Sequence, residues 1–182
     1  MEILHNFGHM ARNFRLLKIH LRLAKSLRNY EKEKYLDFTF RPAKLRDLKA
    51  IKDIHSECMG QSLFDWLYRI YFFKARELIS VCEDKNGKIV ACDMFMFQEV
   101  ELGEDILHEL YVEVLPEYQK QGLATAMRRY CVKSYKAGHK LKGLSTLALF
   151  DDIKALRTAQ KAGYAITKAS AKPPAYYLFQ HI

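Results

Sequence analysis

Val112-Glu-Val-Leu-Pro-Glu-Tyr-Gln-Lys-Gln-Gly-Leu-Ala-Thr-Ala-Met127 is the stretch on which the fold turns. It begins as an alternating strand, passes Pro116, and runs into Gln119-x-x-Gly122-x-Ala124 at the head of a helix. The first turn of a helix presents backbone N–H groups with no partner inside the helix, and it carries the positive end of the helix dipole. Gly122 removes the side chain that would block a close approach. Together these features make a cradle for a pyrophosphate.

Working outward, Ile106–Val114 reads as the central strand and Leu123–Ala137 as the helix after the cradle, ended by Gly138. Upstream, Glu77–Asp84 and Ile89–Gln98 are strands joined by a turn at Asn86-Gly87, whose residues suit the positive φ angles of a tight hairpin. Asp37–Arg41 is a further strand. Leu45, Leu48, Ile51, Ile54 and Cys58 then space an amphipathic helix, and Leu63–Lys74 a second, aromatic-rich one. Downstream come strand Leu144–Leu149, helix Ile153–Ala162 stopped by Gly163, and strands Tyr164–Thr167 and Tyr176–His181, with Pro173-Pro174 in the loop between them. The expected architecture is mixed α/β: a mostly antiparallel central sheet with helices on both faces. It forms one domain over residues 37–182.

Residues 1–36 are expected to be a helix and a linker. Ile3, Phe7, Met10, Phe14, Leu17, Leu21 and Ala24 fall on one stripe, while Arg15, Lys18, Arg22 and Lys25 form a basic one. The apolar stripe docks on its own domain or makes a homodimer. Charges interrupt every apolar run, so the segment is no secretory signal. The charged run Glu31–Lys34 reads as the linker. The chain carries a net charge of +9, and residues 1–36 hold eight Lys/Arg against three Glu. That balance favours anionic partners. A phosphorylated cofactor satisfies it, with nucleic acid or a membrane surface as less favoured partners. The scattered cysteines Cys58, Cys82, Cys92 and Cys131 lack metal-ligand spacing, so no metal is expected. They suit a reduced, cytoplasmic protein.

With these elements in order, the chain resembles the GNAT superfamily of acyl-CoA-dependent N-acetyltransferases from about Asp37 to Ile182. Val114-x-Pro116 followed by Gln119-Lys120-Gln121-Gly122-Leu123-Ala124 is similar to that family's Gln/Arg-x-x-Gly-x-Gly/Ala signature. Asp47–Ile51, and Lys154-Ala155-Leu156 leading to Gly163-Tyr164, extend the likeness. The resemblance implies acetyl-CoA as co-substrate and an amine-bearing acceptor, joined in a ternary complex. It implies that the backbones of Leu110, Val112 and Val114 pair with pantetheine. The backbone N–H groups of Gln119, Lys120, Gln121, Gly122, Leu123, Ala124 and Thr125 would hold the pyrophosphate, with Lys120 adding charge. Asp152 stands where the family often carries an asparagine that touches the cofactor.

An amine must be neutral to attack, so a general base is useful. His108 stands where some relatives carry a basic glutamate, and Glu109 is its neighbour. Simple alternation places His108, Leu110, Val112 and Val114 on one face of the strand and Glu109, Tyr111 and Glu113 on the other. A backbone N–H near Val112 is the candidate donor to the thioester oxygen. The family's tyrosine acid is replaced by Ala159, leaving Thr158, Tyr164, Tyr176 and Tyr177 as hydroxyl candidates. The acceptor walls are expected from Cys58, Met59, Phe64, Trp66 and Tyr68, opposite Tyr176 and Tyr177. Two alternatives are an acyl-CoA-binding protein with little transfer activity, and a module recruited to a polyanion such as tRNA or a membrane by its basic helix.

Overall fold

The computed structural model describes residues 18, 21, 22, 24, 31–60, 76–101, 103–138 and 141–182. Eight strands form one sheet in the order β1-β2-β3-β4-β5-β6-β8-β7. They are β1 (Glu33–Tyr35), β2 (Phe38–Pro42), β3 (Ile79–Glu83), β4 (Ile89–Met96), β5 (Ile106–Val114), β6 (Gly143–Leu149), β7 (Ala165–Ala171) and β8 (Pro174–His181). Every neighbouring pair is antiparallel except β5 and β6. The crossover between these two is helix α2 (Leu123–Gly138), as parallel pairing requires. The other described helices are α1 (Leu48–Met59) and α3 (Ile153–Ala162).

The two faces of the sheet are covered by different helices. On one, α1 buries Ile51 and Ile54, which match the apolar spacing in its sequence. On the other, α2 buries Leu123, Met127, Tyr130, Cys131 and Tyr135, and α3 adds Ala159 and Ala162. Phe95 of β4 meets Tyr135 edge-on at 5.1 Å. The mixed, mostly antiparallel sheet with helices on both faces is therefore the fold observed.

Two expectations change. Residues 33–35 are not a linker: they form β1, pairing Glu33 with Phe40 and Tyr35 with Phe38. The alternating charges that resembled a solvated linker are the dress of an edge strand, which keeps its open side from pairing with other chains. Pro174 is no loop residue either, since it opens β8 and pairs with Ala171. The helix expected over Leu63–Lys74, and most of the one expected over residues 3–30, lie outside the described residues. Of the N-terminal segment, residues 18, 21, 22 and 24 are helical. Ala24 is fully buried and Leu21 packs on the core, while Lys18 and Arg22 are exposed.

Candidate active site

A β-bulge decides which side chains of β5 face which helix. Met94 of β4 pairs with Tyr111 but Phe95 pairs with Glu109, so Leu110 is the extra residue. The bulge reverses the alternation. Tyr111 and Glu113 meet His55 of α1 and Glu109 meets Arg128 of α2; by alternation about the bulge, His108 shares the face of Tyr111 and Glu113, and Val112 and Val114 that of Glu109. This corrects the expectation that His108 shares a face with Val112 and Val114, and Glu109 with Tyr111 and Glu113.

The same stretch marks where the sheet opens. β5 and β6 pair only from Ile106–Gly143 to Glu109–Thr146, although β5 continues to Val114 and β6 to Leu149. Beyond Glu109 the two strands no longer bond to each other. The N–H of Leu115 bonds Val90 O at 3.0 Å, on the β4 side. By alternation, Val112 and Val114 turn their backbone groups toward the opening. The carbonyl of Val114 accepts from the Gln119 side-chain amide at 3.0 Å, and the Cys58 thiol lies 3.5 Å from it.

The cradle lies at the end of this opening. Pro116–Tyr118 make a 3₁₀ turn, and Gln119 N–H is used by Pro116 O at 3.2 Å. Lys120 and Gly122 both take positive φ, 62° and 80°. Such alternation points successive N–H groups into one concavity. The first backbone bond after it runs from Ala126 N–H to Gly122 O, at 3.0 Å. Among the described residues, the N–H groups from Lys120 to Thr125 therefore meet no backbone acceptor. A Cβ on Gly122 would come within 3.2 Å of the Tyr35 hydroxyl. The cradle fits a phosphate group, and residues 120–125 rather than 119–125 are free to hold it.

His108 belongs to a buried hydrogen-bonded chain. Its Nδ1 is 2.7 Å from Ser145 Oγ, which donates at 2.6 Å to Glu101 Oε1. The Tyr177 hydroxyl donates to the same carboxylate at 2.5 Å. Burial opposes ionisation of Glu101, yet the bonds from His108, Ser145 and Tyr177 hold its carboxyl below the usual range. A serine has one proton to give, and Ser145 gives it to Glu101. His108 Nδ1 must then carry a proton and donate to Ser145. Burial and the bond to Glu101 push Tyr177 up to about 12.

Glu109 is placed differently. It is fully buried, and both its oxygens accept from Arg128 Nε, at 2.8 and 3.0 Å. Arg128 also donates to the Thr158 hydroxyl and to Ala155 O. Asp93 is buried beside this pair, and burial together with the Glu109 charge raises its carboxyl well above the usual range. This cluster joins the sheet to α2 and α3, away from the His108 face. Glu113 meets His55 Nδ1 at 2.6 Å and has Cys92 Sγ at 3.8 Å from its other oxygen. Burial pushes the Glu113 carboxyl up to about 7 and the His55 imidazole down. Glu101 and Ser145, which sequence reading passed over, come to His108 from a 3₁₀ turn (Glu99–Glu101) and from β6. No local motif carries that signal.

The remaining expected residues separate. Ala159 is fully buried in α3, and Tyr164 is buried against the same side. Thr158 is spent on Arg128. Asp152 caps α3, accepting from Ala155 N–H at 2.8 Å. Tyr176 packs on Phe150 at 4.6 Å, leaving only Tyr177 of that pair at the His108 network. Phe64, Trp66 and Tyr68 lie outside the described residues. All four cysteines are unpaired, and burial pushes the Cys58 thiol up to about 11.

A strand edge left open for an amide-bearing arm, leading to a phosphate cradle at a helix head, is the geometry of an acyl-CoA-dependent transferase. The acetyltransferase (GNAT) family model matches residues 47–164, and the chain belongs to that family, whose co-substrate is acetyl-CoA. No curated protein matches the chain. Solved structures share the fold. One is yncA from Salmonella typhimurium with its cofactor acetyl-CoA (TM-score 0.67, 16% identity, 80% of this chain and 94% of that one). Another is the spermidine N-acetyltransferase of Vibrio cholerae in complex with CoA and spermine (0.65, 11%, 81% and 96%). A third is Arabidopsis thaliana Naa50 with a bisubstrate analogue (0.64, 12%, 81% and 100%).

Proposed function

We propose that the chain moves the acetyl group of acetyl-CoA directly to a primary amine, with His108 as the general base. The observation that carries this reading is the buried Glu101–Ser145–His108 chain, one rung before the last β5–β6 pair. Acetyl-CoA supplies an activated thioester. The open edge of β5 at Leu110, Val112 and Val114 aligns its arm as an added strand would, with the Val112 N–H turned toward the carbonyl oxygen. The N–H groups of residues 120–125 and the Lys120 side chain hold the phosphates. Asp152 contributes by capping the start of α3.

Amines are mostly protonated at neutral pH. His108 is 3% exposed, so it takes the ammonium proton through a water. Glu101, through Ser145, fixes the tautomer and steadies the imidazolium. The same role would make Glu109 redundant as a base, since Arg128 occupies both its oxygens. An alkyl thiol with a pKa of about 8.5 leaves as thiolate without a dedicated acid, which suits a site with Ala159 in place of tyrosine. The Cys58 thiol, pushed up to about 11 by burial, is too weakly ionised to carry an acyl group, which supports direct transfer. Unpaired cysteines also suit a cytoplasmic protein.

The Glu101→Gln variant tests this reading. Loss of the carboxylate makes an imidazolium less stable, so the acid limb of the kcat/KM profile moves to lower pH while kcat falls. An unchanged limb in both Glu101→Gln and Ser145→Ala would assign the chain a purely structural part.

A further inference from the structure

We propose that the Tyr35 hydroxyl, supplied by edge strand β1, is a further ligand for the pyrophosphate of CoA at the Gly122 cradle. The inference rests on the cradle being the cofactor's phosphate site. It starts from a contact: the hydroxyl oxygen stands 3.2 Å from the position a Gly122 Cβ would occupy. That places a hydrogen-bond donor at the rim of the unpaired N–H groups of residues 120–125. Tyr35 is half-buried, and its hydroxyl has no hydrogen-bond partner among the described residues. A phenol is protonated at neutral pH and can donate to an anionic oxygen.

The ring is held by its strand and by one stacked neighbour. Tyr35 pairs with Phe38 across the β1–β2 turn, and it stacks on Phe40 at 5.8 Å and 22°. Phe40 in turn packs on Tyr130 of α2 at 5.6 Å. The strand is tied to α2 at two points. Tyr130 donates its hydroxyl proton to Glu31 O at 2.9 Å, and Lys133 meets Glu33 at 2.6 Å. The helix that begins at the cradle therefore also positions the strand that carries Tyr35. A donor fixed in this way loses little freedom on meeting the phosphate.

Tyr35→Phe keeps the ring, the stacking and the strand, and removes only the oxygen. Calorimetric titration is expected to show CoA binding weakened about tenfold, as for a lost hydrogen bond to a charged group. Binding of pantetheine, which lacks the pyrophosphate, stays unchanged. The ³¹P resonances of the bound pyrophosphate shift between wild type and variant, whereas the 3′-phosphate resonance does not. Equal CoA affinity with identical ³¹P shifts overturns the inference. So does an equal loss for CoA and pantetheine, which would make Tyr35 scaffold alone. A wild-type chain that fails to bind CoA overturns the cofactor site itself, and with it this inference.

Discussion

At Gly122 two constraints meet in one residue: a φ of 80° and 3.2 Å of room toward Tyr35. Gly122→Ala places a Cβ in both. The expected outcome is a stability loss of about 1 kcal/mol from the left-handed backbone and at least about tenfold weaker CoA binding from the displaced N–H groups. Denaturant unfolding and calorimetry measure the two separately, and wild-type affinity in this variant would remove the cradle from the site. The cradle was legible in the sequence because its chemistry is local: a glycine, a helix start and a strand before it. The faces of His108 and Glu109 were not. They depend on the bulge at Leu110, one extra residue in a backbone ladder, and leucine is an ordinary strand residue that leaves no mark of it. Ser145 and Glu101 were equally hidden, since a hydroxyl on one strand and a carboxylate in a turn acquire meaning only when the parallel pairing sets them beside His108.

At the scale of elements, two buried clusters of ionisable side chains join helices to opposite faces of the sheet. Arg128 of α2 satisfies Glu109 of β5, with Glu109 fully buried. Arg128→Met strands that carboxylate, and denaturant unfolding should show a loss of about 3–5 kcal/mol. A loss below about 1 kcal/mol would mean that Glu109 simply takes up a proton. On the other face, Glu113 lies under α1 with its carboxyl pushed up to about 7 by burial. A carboxyl with a raised folded-state pKa binds more protons folded than unfolded, so its contribution falls as pH rises through that value. Glu113→Gln should accordingly gain stability relative to wild type between pH 5 and pH 8, by on the order of 3 kcal/mol. The His55 shift has the opposite pH slope, and because His55 touches Glu113 at 2.6 Å the comparison is made in a His55→Gln background. A constant offset across that range would contradict the assignment. Element order was readable from periodicity and turn residues. β1 was not, because two charged residues and a tyrosine on an edge carry no apolar pattern, and their pairing is visible only against β2.

For the molecule as a whole, the open question in the sequence was what the N-terminal stripe docks on. Ala24 is fully buried and Leu21 packs on the core, whereas Lys18 and Arg22 are exposed. Ala24→Glu puts an unpaired charge into that contact and should cost about 3 kcal/mol or more. Lys18→Glu with Arg22→Glu should stay within about 0.5 kcal/mol of wild type. Thermal unfolding of the two variants separates a docked helix from a dispensable one, and equal midpoints would contradict docking. The central proposal is that an amine is acetylated beside His108. The most direct measurement is free-thiol release from acetyl-CoA with a panel of amino sugars, amino acids, peptides and polyamines, on wild type and His108→Gln in parallel. Amine-dependent release by wild type, about 10²-fold or more slower in His108→Gln at unchanged CoA affinity, is the predicted result. Equal rates in the two proteins, or no amine-dependent release by wild type from any acceptor, would contradict it.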